Sequence, residues 1–284
     1  MRNNYHFCTE ALKDALLCYD DNDYKAAWNI LAESAMMTGI KVYCFCIMSN
    51  HIHILLCAGR DDIARFFLTF KMKMGRYIAR KYHKTMIRGM AYRLFPVTDM
   101  RAFCQEVAYI LRNPFRARIS SPFTYRWSSI RAYFCISVET GVEVNELPDR
   151  QRFKVLKSRY SFPAGTRVSS DGLVLPGCFL DVFSVERAFN NSSIQFFNLL
   201  KQWNLEDIVR GIHGETVQDS YSDNEIYAAI RQECLNVYDV SDPTKLDYRS
   251  LVRVIRKIRA RFGASGEQLK RLLPVDDAFL DRML

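Results

Sequence analysis

Apolar and polar residues alternate from Asn4 to Thr9 (Asn-Tyr-His-Phe-Cys-Thr), which predicts a first strand. The acidic patch Asp20 to Asp23 then predicts the cap of a helix from about Tyr24 to Thr38. Ala26, Ile30 and Leu31 would face its buried side, and Gly39 would stop it. Lys41 to Met48 is apolar on both faces, as expected of a central strand. Ser49-Asn50 fits a two-residue hairpin turn, with His51 to Cys57 as the return strand. Residues 61–83 predict a long helix with acids at its start and bases at its end, the order the helix dipole prefers. Gly89 to Val97 alternates enough for another strand. A helix follows from about Asp99 to Arg112, and Asn113-Pro114 is expected to end it, because the residue before proline is pushed out of the helical region.

Residues 138–176 are richer in Gly, Pro and charge. The expected organisation is a domain over 1–137, a linker over 138–152 and a helical domain over 153–284. Helices are predicted near 184–189, 193–203, 222–237 and 248–262, with a short one around 276–283. The Gly-containing turn over 262–269 between two helices is compatible with a helix-turn-helix DNA-binding unit. The basic helix with Arg253, Arg256, Lys257, Arg259 and Arg261 points the same way.

Composition narrows the class. The chain has 284 residues and is 49% hydrophobic, as a globular protein is. No run of about 18 apolar residues is present, and the first residues lack a signal-peptide core, so a cytoplasmic protein without a membrane span is expected. The nine cysteines follow no paired spacing, which fits reduced thiols rather than a disulfide frame or zinc site. Charge is more telling. Residues 1–140 hold 20 Lys+Arg against 11 Asp+Glu, whereas 141–284 hold 20 of each. Within 60–131 the count is 16 against 4. Such a one-sided field suits a polyanion, and nucleic acid is the usual one. Lys73, Arg76 and Arg80 share one helix face and read as a phosphate-tracking stripe or a solvated face. Phe115-Arg116-Ala117-Arg118 and Tyr125-Arg126-Trp127 mix bases with aromatics, a combination that holds phosphates and stacks on bases, or else packs a loop.

The candidate chemistry starts at Met48-Ser49-Asn50-His51-Ile52-His53. On a strand, His51 and His53 point to one face, and two imidazoles at i, i+2 can bind a divalent ion. A bare His-x-His is equally a strand end with two half-exposed rings. On the later helix, Gln105, Glu106 and Asn113 share a face with Tyr109.

His-x-His, a basic helix, then Tyr109-Ile110-Leu111-Arg112-Asn113-Pro114-Phe115-Arg116-Ala117 and Trp127-Ser128-Ser129, in that order, resemble the HUH-type single-tyrosine transposases. The likeness is greatest to REP-associated tyrosine transposases and their domesticated bacterial relatives, and it covers about residues 4–134. It implies an α+β fold: a ferredoxin-like or RRM-like antiparallel sheet with helices on one face, followed here by the mostly helical C-terminal part. It further implies a metal-dependent enzyme that cleaves and rejoins single-stranded or hairpin DNA through a 5′-phosphotyrosine. Tyr109 would be the nucleophile. His51 and His53, with Asn113 in the place of a third ligand, would hold Mg2+ or Mn2+. Lys73, Arg76, Arg80, Arg112, Arg116, Arg118, Arg126 and Trp127 would contact DNA. The expected protein is a nucleoid-associated monomer or homodimer without a nucleotide cofactor. The alternatives are a domesticated, non-cleaving DNA or RNA hairpin-binding regulator and, less well matched because no P-loop is present, a replication initiator or relaxase.

Overall fold

The computed structural model of the chain describes residues 2–10, 16–83, 87, 89–117, 119–135, 140–157, 160–202, 223–262, 269 and 272–273. Two compact units divide at residues 215 and 216. The first is built on four strands, β1 (Asn3–Thr9), β2 (Lys41–Ile47), β3 (Ile52–Ala58) and β4 (Tyr92–Val97). Helix α1 (Asp21–Thr38) links β1 to β2, and α2 (Arg60–Tyr82) links β3 to β4. The sheet order is β2-β3-β1-β4 with every neighbour antiparallel, which is the ferredoxin-like βαββαβ arrangement.

The helix signals act as expected. Asp20 caps α1 and accepts from the Asp23 backbone, the Asp23 carboxylate accepts back from the Asp20 backbone, and Gly39 closes the helix at φ +64°. Asp23 also fastens α1 to α2. Its fully buried carboxylate accepts from Lys81 Nζ at 2.6 Å and from the Tyr82 and Tyr77 hydroxyls at 2.6 and 2.8 Å. The hairpin differs from the sequence reading. Its connection is four residues, Met48 to His51, closed by the Met48 N–H donating to the His51 carbonyl at 2.8 Å, so β3 begins at Ile52.

A second difference matters more. Helix α3 runs from Met100 to Arg116 and passes through Pro114. Proline cannot donate to the Ile110 carbonyl four residues back. The Asn113 side-chain amide supplies that donor, at 3.3 Å, and also reaches the Tyr109 carbonyl at 3.1 Å. One more turn is thereby kept, and it carries Arg116.

The helices are not confined to one face. Phe7 packs on Phe66 and Phe67 of α2, and Phe45 on Trp28 of α1, so these helices share a face. Alternate positions point the other way, where α3 places Tyr109 against His6 and His53, and Phe103 against Tyr43. The sheet is thus covered on both sides, and the core runs through it.

The expected division at 138–152 is not where the units part. Helix α4 (Asp149–Leu156), the short strands β5 (Val142–Glu143) and β6 (Arg167–Val168), α5 (Val182–Ala188) and α6 (Ser193–Leu200) all belong to the first unit. Buried Asn29 explains much of this. Its amide donates to the Gly172 carbonyl at 2.8 Å and its oxygen accepts from the Val174 N–H at 2.9 Å, while Trp28 Nε1 donates to the Val174 carbonyl at 2.9 Å. Among its described residues the second unit holds helices α7 (Asp223–Tyr238) and α8 (Tyr248–Phe262), with Ile226, Ile230, Val254, Ile255 and Ile258 in its core. The turn over 263–268 and the final helix near 276–283 lie outside the described residues.

Candidate active site

The alternation of β1 and β3 places His6, His51 and His53 on the α3 face of the sheet, because His6 pairs with Leu55, two positions from His53. A continuous series of polar contacts results. His51 Nε2 lies 3.0 Å from His53 Nε2. His53 Nδ1 lies 2.9 Å from His6 Nε2, and His6 Nδ1 lies 2.9 Å from Glu106 Oε2 on α3. At the other end His51 Nδ1 lies 2.7 Å from the Asn50 side-chain oxygen. Glu106, His6 and His53 are buried, whereas His51 reaches the surface. Burial, with the facing charges of Arg116 and His6, pushes the His51 imidazolium down to about 4. The ring is therefore neutral at physiological pH, the form a metal ligand needs.

Tyr109 stands over this series. Its ring is 6.1 Å from that of His53 and 5.7 Å from that of His6, edge-on to both. Arg116, two turns along α3, covers the Tyr109 ring at 4.7 Å and donates to its hydroxyl at 2.7 Å. Phenol, guanidinium and imidazoles thus meet in one place, on elements distant in sequence.

Residues 2–95 match the family model described as "Transposase IS200 like". The matched segment, about a third of the chain, is similar to that family. It holds β1 to most of β4 and both histidines of the His-x-His, while Tyr109 and α3 lie beyond it. A solved REP-associated tyrosine transposase bound to a REP hairpin is similar over 46% of this chain and 78% of its own, at 11% identity and a TM-score of 0.38. No curated protein matches the chain.

The donor set of the matched segment suits a cation. Two ligands at right angles, each about 2.1 Å from an ion, lie about 3.0 Å apart. That is the His51 Nε2 to His53 Nε2 separation. Among the described residues no group of three or more His, Cys, Asp or Glu side chains is arranged around a metal, so the pair would need oxygen donors from elsewhere. Asn113 is not oriented as such a donor. Its nitrogen serves the α3 backbone and its oxygen faces Arg116 at 3.5 Å.

Other expected contact residues separate. Arg112 is buried, donates to the Gln202 carbonyl and lies 5.5 Å over Phe115, so it packs the unit together rather than facing a ligand. Trp127 is also buried, stacked on Tyr24 at 5.0 Å and with Arg126 4.9 Å from its ring, so it packs within the unit. Arg126 is partly exposed and paired with Asp171 at 2.7 Å. Arg118 lies outside the described residues. Tyr125, in the same basic and aromatic stretch, is buried and donates to the Ile47 carbonyl at 2.7 Å.

Lys73, Arg76 and Arg80 stand on the opposite face of the sheet from the histidines. They line a groove of about 1350 Å³ with Lys25 of α1 and Lys154 and Lys157 at the α4 end. Lys73 is paired with Glu33 at 2.8 Å. Among the described residues, no carboxylate lies within ion-pair distance of Arg76, Arg80, Lys154 or Lys157.

The sequence places Glu106 on the helix face of Tyr109 but does not single out His6 as a site residue. The alternation of β1 could have flagged His6 as facing the same side as His51 and His53, but only the β1–β3 register brings it beside them.

Proposed function

We propose that the first unit is a metal-dependent, single-tyrosine DNA transposase or nuclease acting on single-stranded or hairpin DNA. The observation that carries this reading is the Tyr109 ring edge-on at 6.1 Å from that of His53, whose Nε2 lies 3.0 Å from His51 Nε2. The similarity of the segment that bears the histidines to the IS200-like family model supports it.

In this reading Tyr109 Oη attacks a backbone phosphorus, the bond to the 3′ oxygen breaks, and a 5′-phosphotyrosine and a free 3′-OH result. The phosphotyrosine conserves the phosphodiester bond energy, so attack by another 3′-OH rejoins strands without a nucleotide cofactor. His51 and His53 would hold Mg2+ or Mn2+, which when bound neutralises and orients the scissile phosphate. Arg116 donates to the phenol oxygen and is placed to stabilise negative charge there as attack begins. The basic groove on the far face would take backbone phosphates outside the cleavage point.

The test is incubation of the full chain with Mn2+ and single-stranded hairpin DNA. A covalent adduct that disappears in Tyr109→Phe is expected. An adduct that survives would reassign the nucleophile. One observation favours a second reading, a non-cleaving hairpin-binding regulator: Tyr109 is only 4% exposed, and Arg116 occupies its hydroxyl. Hairpin binding that persists in EDTA and in His51→Ala, with no adduct under Mn2+ or Mg2+, would select that reading.

A further inference from the structure

Helix α8 of the second unit sorts its side chains by charge. Leu251, Val254, Ile255 and Ile258 are buried in a core shared with Ile226, Ile230 and Cys234 of α7. Arg249, Arg253 and Arg256 stand on the opposite side, all exposed. Their spacing of four and then three residues sets them in one row along the helix. The helix carries six Lys+Arg and no Asp or Glu, although residues 216–284 together hold 11 of each sign. Charge in this unit is therefore segregated. Lys257 shows the ordinary alternative, because it pairs with Glu233 of α7 at 2.5 Å. Among the described residues no carboxylate lies within ion-pair distance of Arg249, Arg253 or Arg256. Asp247, the acid nearest in sequence, is taken up as a cap and accepts from the Arg249 and Ser250 backbone N–H groups at 2.9 and 3.1 Å. Helix electrostatics disfavour such a row. Like charges three and four residues apart repel, and Arg249 lies in the first turn, where the dipole prefers an anion. A bound polyanion would relieve both.

We infer that the Arg249, Arg253 and Arg256 row is a contact surface for the phosphate backbone of duplex DNA, separate from the histidine and tyrosine site and from the groove of the first unit. At a rise of about 1.5 Å per residue the row spans about 10 Å. One duplex strand presents a phosphate per about 3.4 Å of its axis, so a row of this length matches about three phosphates. Guanidinium forks suit phosphate oxygens, which they can hold in pairs. Single strands are held by basic and aromatic side chains together, and no position between Arg249 and Arg256 carries an aromatic ring. A straight row fixed on a helix suits the regular backbone of a duplex instead. A lipid surface would take apolar side chains beside the cations, whereas Leu251, Val254, Ile255 and Ile258 are turned into the core. Backbone contacts carry no sequence information, so this surface adds affinity without choosing a sequence. Of the α8 residues singled out in the sequence, Arg253 and Arg256 belong to the row, Lys257 does not, and Arg249 joins them.

The experiment titrates the full chain with a blunt DNA duplex of mixed sequence, in EDTA, between about 50 and 200 mM salt. Wild type is compared with a triple variant, Arg249→Gln with Arg253→Gln and Arg256→Gln, because glutamine keeps the helix propensity of arginine. Thermal melting follows the fold. The groove of the first unit is the same in both proteins, so the difference between them reads the row alone. Each phosphate contact adds about 0.9 to the slope of log affinity against log salt, so wild type should be steeper by about 2.7 and lose about 40-fold more affinity over that range. A second duplex of unrelated sequence should give the same difference. Equal slopes, with affinities equal within about twofold, would overturn the inference, and so would a wild type that binds no duplex. Unchanged duplex binding with loss of binding to phosphatidylserine vesicles would assign the row to a lipid surface instead. Should the triple variant lose its cooperative melt, Arg253→Gln alone decides, through a slope lowered by about 0.9 or left as it was. No turnover is read, so the absence of a Tyr109 adduct would leave this result standing.

Discussion

Asn113 is where a sequence reading and the geometry give opposed outcomes for one substitution. As a metal ligand, its removal would act on cation affinity. As the donor that replaces the N–H missing at Pro114, its removal acts on stability. In Asn113→Ala the Ile110 carbonyl loses its side-chain donor at 3.3 Å and the Tyr109 carbonyl a second one at 3.1 Å. Hydrogen bonds of this kind contribute about 0.5–1.5 kcal/mol each, and both are long, so about 1–2 kcal/mol is expected. For a unit of this size that is a Tm lowered by roughly 2–8 °C. The last turn of α3 would fray, and Arg116 would lose its place over Tyr109. Calorimetry on the metal-free chain reads the first effect, and Mn2+ titration reads the alternative. We expect the melt to fall and the Mn2+ affinity to stay within about threefold. An unchanged Tm with affinity lowered by more than the roughly 10–100-fold typical of outer-shell partners would refute the backbone role and restore Asn113 as a ligand.

The pH dependence of the metal-free protein should carry the signature of His51. Its folded-state value of about 4 lies below the ordinary 6.5, so the unfolded chain binds the proton first and stability falls as pH drops from 6.5 towards 4. The loss is at most about 3 kcal/mol, and urea unfolding should show it flattened in His51→Gln; an identical pH slope in that variant would refute the assignment. Asp23→Asn should cost about 2–3 kcal/mol, less than the about 3–5 of a fully buried pair because Lys81 still reaches water. Burial disfavours the Asp23 carboxylate, but bonds from Lys81, Tyr82, Tyr77 and the Tyr19 backbone outweigh that and hold it below its ordinary value. Its contribution is therefore present above about pH 4 and lost on further acidification, which denaturation at pH 3 and 6 would check. In the basic groove, Lys154→Ala with Lys157→Ala should weaken hairpin binding and reduce the slope of log affinity against log salt by about one for each phosphate contact removed; an unchanged slope would exclude the groove from binding.

What was legible in the sequence was what local pattern controls. Alternation marked β1, two-sided apolarity marked β2, and the acidic cap with Gly39 marked the ends of α1. Where a signal depended on a partner, it misled. Asn113-Pro114 reads as a stop because the asparagine's donation to its own helix is not visible in a string. Arg112 and Trp127 read as ligand-facing because the segments that bury them are remote in sequence or follow no periodicity. The gap between 138 and 152 reads as a linker although Asn29 and Trp28 bind the chain beyond it. His51, His53 and Tyr109 were named from sequence, and the structure brings all three together. His6, in the buried half of the site, needed strand register to appear.

The four-stranded sheet is also a partition. Imidazoles and phenol lie on one side of it, and the arginines and lysines of the groove line the other. Packed layers stand about 10 Å apart, so roughly 20 Å of protein separates the two regions. The β2 rim is closed by bridges to Ser128 and Leu180, whereas among the described residues β4 pairs only with β1. A nucleic acid engaging both regions has to bend around that rim, which sets a minimum length for tight binding. Oligonucleotides too short to make the detour would bind one side alone, and affinity plotted against length should rise in a step rather than smoothly.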